Sequence, residues 1–283
     1  MRPGGGGLIL VATPIGNLGD LSPRAVDTLR DADVIAAEDT RRTRTLLTHA
    51  GIPAGRRLRA VHEHNEAQLA VELVKEIAGG ARVAYVTDAG MPAISDPGER
   101  LVRACLDAGL KVESVPGPSA VLTALVLSGL PTRRFAFEGF LPRRGRARTQ
   151  VIDAIATETR TVVLFESPAR LRATLAELTD VCGRGRRVAI VRELTKVYEE
   201  IWRGTLGQAL EAVPSEPRGE HVLVLGPADP VDVDDDALDD VVQKALDAGL
   251  SARDAAARAA GDLGVAKRRA YDSATRLART RRS

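Results

Sequence analysis

The 283-residue chain is poor in aromatic side chains, which make up 3% of it, and it contains two cysteines. So few rings exclude a protein that holds nucleic acid mainly by stacking bases on aromatic platforms, and they predict an aliphatic core. Cys105 and Cys182 are too few for a zinc site, and lone cysteines are typical of a reducing compartment. The sequence also lacks an apolar run of about 18 residues, and its start, MRPGGGG, lacks the apolar h-region of a signal peptide. We therefore expect a cytoplasmic protein with neither a membrane span nor a signal peptide.

Charge is unevenly distributed along the chain, although the net charge is only +2. Residues 229–250 carry eight aspartates and one lysine, whereas residues 251–283 carry nine arginines or lysines and three aspartates. A nearly neutral body therefore leads through an acidic stretch into a basic C-terminal region. Two interpretations stay open for this region: a solvated linker with a polar helix, or a small nucleic-acid-binding appendage.

Short strands rich in valine and isoleucine alternate with helical patterns from Leu8 onwards. This alternation predicts an α/β fold with a mostly parallel sheet that is covered on both faces. A second α/β unit follows an apolar helical segment, and three short helical patterns follow the acidic stretch. The predicted domains are residues 1–118, residues 119–228 and residues 229–283. The last comprises the acidic linker and a basic, helix-turn-helix-like module.

Polar segments follow the predicted strands, at the point where each strand ends. They are residues 13–17, 38–42, 62–66, 87–98, 116–120, 166–167 and 193–196. Ligands of parallel α/β sheets bind beyond the carboxyl ends of the strands, so the set predicts a ligand cleft at this edge. The first segment lacks the lysine of a P-loop and the three glycines of the dinucleotide fingerprint. The long fourth segment offers backbone groups and a carboxylate, which suit an amino-acid or adenosine moiety better than a phosphate.

Two other chemistries are not supported by the spacing of the residues. His62 and His64 lack the H-E-x-x-H spacing of a zinc helix and have no cysteine nearby, so we predict no metal. Ser119 and Ser167 do not lie in the G-x-S-x-G elbow of a serine hydrolase.

Eight motifs occur in a characteristic order: TPIGNLGD, AEDTR, HEHNE, DAGMPAISDPG, PGPSA, FEGFLP, FES and RELTK. With them the chain resembles the tetrapyrrole-methylase-type superfamily of S-adenosylmethionine methyltransferases. Within it, the chain resembles most the bacterial enzymes that methylate the ribose 2′-hydroxyl of a cytidine in the decoding region of 16S rRNA. The resemblance covers about Leu8 to Gly226 and extends more weakly into the C-terminal helices. Met91 departs from the pattern, since threonine is often found there.

The resemblance implies two consecutive α/β domains with S-adenosylmethionine in the cleft between them, and a homodimer that acts on 16S rRNA or the small ribosomal subunit. The TPIGNLGD loop would line the cleft near the acceptor. Carried over by motif position, the cofactor contacts fall on Asp88, Gly90, Ala93, Ile94, Ser95, Ser119, Ala120, Phe165 and Leu194.

A ribose hydroxyl is a poor nucleophile until a base takes its proton. Glu38 and Asp39 are the first candidates for this base, and His64, Glu166 and Lys196 are the next. Adjacent side chains on an extended segment point in opposite directions, so we expect one of Glu38 and Asp39 to face the cleft. The other would cap a helix or pair with an arginine.

Arginines are concentrated between residues 133 and 148, where a solvated surface and a phosphate-binding rim are both open interpretations. The predicted RNA contacts are Arg143, Arg144, Arg146, Arg148, Lys267, Arg268 and Arg269. Two alternative functions stay open: a small-molecule tetrapyrrole methyltransferase, and a non-catalytic RNA-binding protein on the same scaffold.

Overall fold

A computed structural model describes residues 5–61, 65–228 and 234–280. The chain divides into two compact units, Met1–Pro227 and Ala228–Ser283. The first unit contains two five-stranded sheets, and the second contains three helices. The predicted fold class, two α/β domains with a helical module, is confirmed. The predicted boundary between the α/β domains, at residues 118 and 119, stays a prediction.

The first sheet is parallel throughout, with strand order β3-β2-β4-β1-β5. Its strands are β1 (Gly7–Val11), β2 (Val34–Ala37), β3 (Leu58–Ala60), β4 (Arg82–Val86) and β5 (Val112–Val115). Its helices are α1 (Pro23–Asp31), α2 (Thr40–His49), α3 (Glu66–Ala78) and α4 (Glu99–Asp107). Because all five strands run in one direction, the segments that follow them meet at one edge of the sheet.

Local signals account for where these elements begin. Ser22 caps α1 by accepting a hydrogen bond from the Ala25 N–H, and Pro23 occupies the first helical position. Alternate residues of β1 face opposite sides of the sheet, so Ile9 packs in one buried cluster and Leu8 in another. Apolar residues therefore cover both faces, as the run of aliphatic residues predicted.

The second sheet is mixed, with strand order β6-β7-β10-β8-β9. Its strands are β6 (Phe135–Phe140), β7 (Thr161–Glu166), β8 (Arg187–Arg192), β9 (Glu200–Thr205) and β10 (His221–Leu225). The accompanying helices are α5 (Ala120–Ser128), α6 (Arg146–Thr157), α7 (Pro168–Cys182) and α8 (Leu206–Ala212). Since β10 is antiparallel to both β7 and β8, these two strands run in the same direction. Their ends, Glu166 and Arg192, therefore meet on either side of His221.

The apolar helix α5 lies against one face of the second sheet. Val121 and Leu125 of this helix share a buried cluster with Val163 and Val191 of the sheet and with Ile15 from the first domain. The same cluster therefore joins the two α/β domains next to their strand ends. A separate cluster packs α6, α7 and α8 on the opposite face.

The second compact unit contains α9 (Asp235–Asp247), α10 (Ala252–Leu263) and α11 (Lys267–Thr280). Its core is built largely of alanine, including Ala255, Ala259 and Ala270. Small side chains of this kind allow the three helices to pack closely. Across the parts of the chain that the structure describes, no helix is long and apolar enough to cross a membrane.

Candidate active site

A cleft of about 410 Å3, the main cleft, opens between the two α/β domains at their shared strand ends. The loop after β4 lines one side of it, and the ends of β7 and β8 line the other. Eight of the nine predicted cofactor contacts line the main cleft: Asp88, Gly90, Ile94, Ser95, Ser119, Ala120, Phe165 and Leu194. Ala93 belongs to the same loop but does not line the cavity. The structure brings these residues together, and their contact with a cofactor stays a prediction.

The loop after β4 contains backbone conformations that residues other than glycine rarely adopt. Ala93 and Ser95 have φ angles of 66° and 63°, and Gly90 has a φ of 80°. Gly90 also forms an antiparallel bridge with Thr13, with N–O distances of 2.9 and 3.1 Å. This bridge fixes the loop to the end of β1, beside the main cleft.

The same strain recurs in the loop after β8. Glu193 and Thr195 have φ angles of 50° and 64°. Among the described residues, these two together with Ala93 and Ser95 are the four non-glycine residues with positive φ. Such conformations cost free energy and concentrate at functional sites. All four lie in the two loops that face each other across the domain junction, which supports this junction as the functional site.

The TPIGNLGD loop contacts the loop after β8 closely. The Asn17 N–H donates to Thr195 Oγ1 at 3.0 Å. A Cβ at Gly16 would lie 2.5 Å from Lys196 Cγ and 2.7 Å from Thr195 Oγ1, so only glycine fits there. Gly16 is therefore explained by this approach between the domains and not by a phosphate.

Five acidic residues line the main cleft, and the loops after β2 and β4 supply three of them: Glu38, Asp88 and Asp96. Burial, and then the charge of Asp88, raise the pKa of Glu38. Burial, and then the charge of Glu38, raise the pKa of Asp96 to about 6. Asp88 is half-buried, and burial raises its pKa while Arg42, 3.3 Å away, lowers it. The negative charges of Glu38, Asp88 and Asp96 are therefore poorly compensated by nearby positive charges. This is typical of sites that bind a cation or transfer a proton.

Asp39 does not line the main cleft. Its carboxylate caps α2, accepting from the Arg41 N–H at 2.7 Å, and forms an ion pair with the Arg41 side chain at 3.2 Å. Hydrogen bonds from Arg41 lower the pKa of Asp39. Of the two adjacent carboxylates, Glu38 is the one that reaches the cavity.

The remaining base candidates are occupied or lie elsewhere. Glu166 is buried, and it accepts hydrogen bonds from the Ser167 N–H at 2.8 Å and from Thr174 Oγ1 at 2.6 Å. Lys196 Nζ donates to Glu193 and to Glu220, both at 2.9 Å. Burial by itself lowers the pKa of Lys196, but the two glutamates together outweigh it and raise the pKa, so Lys196 stays protonated and cannot serve as a base. His64 lies outside the described residues, as does His62.

Some of the predicted RNA contacts are exposed side chains, and others form ion pairs within the protein. Arg143, Arg144 and Arg146 are exposed at the start of α6, and Lys267 and Arg268 are exposed on α11. Arg269 is half-buried and forms an ion pair with Asp235 of α9 at 2.8 Å.

Arg148 is a correction to the predicted RNA contacts. It is 7% exposed, and its guanidinium donates to Glu177 at 2.8 Å, to the Pro142 carbonyl at 3.1 Å and to Thr174 Oγ1 at 2.9 Å. A buried cation needs such partners, and they leave it unavailable to a phosphate. Arg148 instead holds the arginine-bearing loop against α7.

Several lining residues were missed by the sequence prediction, notably Arg42, Asp96, Phe140 and Glu220. Asp96 and Phe140 lie within the motifs DAGMPAISDPG and FEGFLP, and Arg42 directly follows AEDTR, so proximity to a motif was the available signal. In the described ranges, 5–61, 65–228 and 234–280, no three histidine, cysteine or acidic side chains form a group that could hold a metal ion.

Residues 7–210 match the family described as Tetrapyrrole (Corrin/Porphyrin) Methylases. The chain is 43% identical over 274 residues to a Synechocystis protein named ribosomal RNA small subunit methyltransferase I, a match that covers 95% of this chain and 98% of the relative. It is 46% identical over 269 residues to the protein of that name from Mycobacterium tuberculosis, covering 95% of this chain and 94% of the relative.

Among solved structures, uroporphyrin-III C-methyl transferase from Thermus thermophilus, complexed with S-adenyl homocysteine, resembles the chain with a TM-score of 0.55 at 22% identity. That likeness covers 78% of this chain and 97% of the other, and it shows the fold alone. The family match and the two full-length relatives carry more weight. The chain belongs to the tetrapyrrole (corrin/porphyrin) methylase family and is similar over nearly its whole length to proteins named ribosomal RNA small subunit methyltransferase I.

Proposed function

We propose that this protein transfers the methyl group of S-adenosylmethionine to the ribose 2′-hydroxyl of a cytidine in 16S rRNA, in the cytoplasm and as a homodimer. The observation that carries the acceptor class is the likeness, over 95% of the chain, to relatives named as ribosomal RNA methyltransferases. A tetrapyrrole acceptor is supported by the description of the family and by the fold, but one fold can serve many different acceptors.

The main cleft fits such a cofactor. Its volume of about 410 Å3 lies within the range of small-molecule sites, roughly 300–1,000 Å3. Phe165, Leu194 and Ile94 offer apolar walls, and the loop with positive φ angles offers backbone groups. The carboxyl groups of Glu38, Asp88 and Asp96 suit a ligand that carries positive charge, as a sulfonium and an amino group do. When bound, the cofactor supplies an electrophilic methyl group.

Glu38 is the base in this proposal. Its carboxylate would accept the proton of the ribose hydroxyl while the hydroxyl oxygen forms its bond to the methyl carbon and the carbon–sulfur bond breaks. A raised pKa makes Glu38 a better proton acceptor than Asp39, since a general base works best when its pKa approaches the working pH. Asp39 serves the site indirectly by starting α2.

The exposed cations hold the RNA in this proposal. Arg143, Arg144 and Arg146 would contact phosphates near the main cleft, and Lys267 and Arg268 would contact phosphates from the helical unit. Neutralising phosphates releases counterions, so the affinity for RNA is expected to fall steeply with salt.

The test is transfer of labelled methyl from S-adenosylmethionine to small ribosomal subunits that lack the modification, followed by nuclease mapping. A 2′-O-methylcytidine in 16S rRNA is the expected product. Glu38→Gln should lower kcat by about 10²–10⁴-fold. Asp39→Asn is the matched control, since asparagine caps a helix as well as aspartate does, and it should retain most of the activity.

Two results would contradict the proposal. Binding of S-adenosylhomocysteine by calorimetry without methyl transfer to RNA would favour a small-molecule acceptor. No binding of S-adenosylhomocysteine at all, with RNA still bound, would favour a non-catalytic RNA-binding protein.

A further inference from the structure

A second cavity of about 300 Å3, the side pocket, adjoins the main cleft. Its walls come from the TPIGNLGD loop, from the first turns of α2 and from Lys196 of the second domain. Arg42, Asp88 and Glu220 line both cavities, so the side pocket opens beside the position proposed for the cofactor. A substrate that enters it lies next to the carboxyl groups of the main cleft.

Most polar side chains of the side pocket are already engaged. Thr13 Oγ1 donates to the Thr87 carbonyl at 3.1 Å, and Thr43 Oγ1 donates to the Asp39 carbonyl at 3.0 Å. Lys196 is held between two glutamates, as described above. These groups shape the pocket but have little capacity left for a ligand.

Arg42 is different. Its side chain is 66% exposed, and within the described ranges its guanidinium makes one ion pair, to Asp88 Oδ2 at 3.3 Å. A guanidinium has five N–H donors in a planar fork, so most of them stay available for an anion. Asp88 meanwhile restricts where the fork can point, which lowers the entropy cost of binding.

The N-terminus of α2 is not itself the anion site. The Asp39 carboxylate occupies it by capping the helix. A second anion is therefore attracted by the Arg42 side chain and not by the helix end. Pro14, Ile15 and Leu46 give the pocket apolar walls against which the carbon atoms of a sugar can pack. Its two acidic residues, Asp88 and Glu220, are each paired with a cation.

We infer that the side pocket binds the ribose-phosphate backbone of the acceptor strand, with Arg42 as the residue that contacts the phosphate beside the methylated ribose. This inference rests on the proposed function, and it adds one residue that determines specificity for a nucleotide acceptor. A bidentate contact between a guanidinium and a phosphate would also fix the position of that phosphate, and with it the position of the adjoining ribose.

The test compares Arg42→Ala, Arg42→Lys and the matched control Arg103→Ala. Arg103 on α4 is likewise exposed, at 78%, and paired with an aspartate, Asp107, at 3.2 Å, but it lines neither cavity. For each protein we would measure KM for unmethylated small subunits over a range of KCl concentrations. Calorimetry would give the Kd for S-adenosylhomocysteine.

Arg42→Ala is expected to raise KM on the order of ten-fold, the loss of one charged hydrogen-bonded contact. The slope of log KM against log salt should become shallower by about 0.7, the value for one phosphate of a single strand. Arg42→Lys should keep the wild-type slope with a smaller rise in KM, and Arg103→Ala should match the wild type. Binding of S-adenosylhomocysteine should change much less than KM.

Two results would overturn the inference while leaving the proposed function intact. The first is that the wild type transfers methyl groups, and that Arg42→Ala and Arg103→Ala have the same KM and the same dependence of KM on salt. The second is a loss of S-adenosylhomocysteine affinity in Arg42→Ala as large as the rise in KM, which would mean that Arg42 acts through the cofactor. Absence of methyl transfer by the wild type would overturn the proposed function and this inference with it.

Discussion

Replacing Gly16 by alanine is expected to destabilise the junction between the two α/β domains by about 1–3 kcal/mol, the usual cost of forcing extra carbon into a packed site. The added Cβ would lie 2.5 Å from Lys196 Cγ and 2.7 Å from Thr195 Oγ1. It would also lie 2.8 Å from the Leu194 carbonyl oxygen. The lysine side chain can move aside, but the carbonyl belongs to the backbone, and Thr195 already has a φ of 64°. The loop after β8 must therefore shift.

Gly185→Ala is the matched control for this experiment. No atom lies within 4 Å of a Cβ built at Gly185, and its φ lies outside the left-handed range. The control should therefore be unchanged, or stabilised by up to about 1 kcal/mol through a less flexible unfolded chain. Urea unfolding of the full-length variants gives the two free energies. Binding of S-adenosylhomocysteine should weaken in Gly16→Ala alone, because Leu194 lines the main cleft.

The outcome that refutes this reasoning is equality of the two variants. If Gly16→Ala and Gly185→Ala unfold at the same urea concentration with the same m-value, the TPIGNLGD loop does not press against the loop after β8. A fall in stability without any change in ligand affinity would contradict only the proposed link between this contact and the main cleft.

Three further predictions concern charged residues. Arg148→Ala should lower the free energy of unfolding by about 2–3 kcal/mol, because it leaves partly buried hydrogen-bonding groups without a partner. Arg144→Ala should change the free energy of unfolding by less than about 0.5 kcal/mol. Urea unfolding of both variants tests this prediction. Because the pKa of Asp96 is raised in the folded protein, ionising this carboxyl group opposes folding. The free energy of unfolding of the wild type should therefore fall relative to that of Asp96→Asn as the pH rises from about 4 to about 6, and the difference should stay constant above that. The same difference between the two proteins at pH 4 and at pH 7 would contradict this prediction. The kcat of the wild type should decline as the pH falls through the raised pKa of Glu38, and the residual activity of Glu38→Gln should lack that decline; identical pH profiles would exclude Glu38 as the base.

Local patterns in the sequence predicted most helices and strands because the forces that form them act between near neighbours. Residues 146–157, for example, show a helical pattern in the sequence, and they form α6 in the structure. The sequence pattern does not indicate β9, a half-exposed edge strand that pairs with β8. Its existence depends on hydrogen bonds to a strand that lies across a turn, and its own residues show no strong apolar alternation.

The position of the candidate site was also predictable, since loops that follow parallel strands meet at one edge. The second sheet is mostly antiparallel, yet the loops after β7 and β8 still reach this edge, because both strands run opposite to β10. The sequence could not show that arrangement, which depends on the order of strands in the sheet. In the structure, Glu166 and Arg192 both pair with His221, and this pairing shows that β7 and β8 end at the same edge.

The sequence by itself determined the fold class, the order of the elements, the family and the loops that build the cleft. Only the tertiary structure decided what individual charged residues do. Glu38 reaches the cleft while Asp39 caps a helix, and Arg148 is buried while Arg144 is exposed. The physical reason is that a side chain's burial and partners depend on segments remote in sequence. Thr174 and Glu177 of α7, which hold Arg148, lie 26 and 29 residues away along the chain.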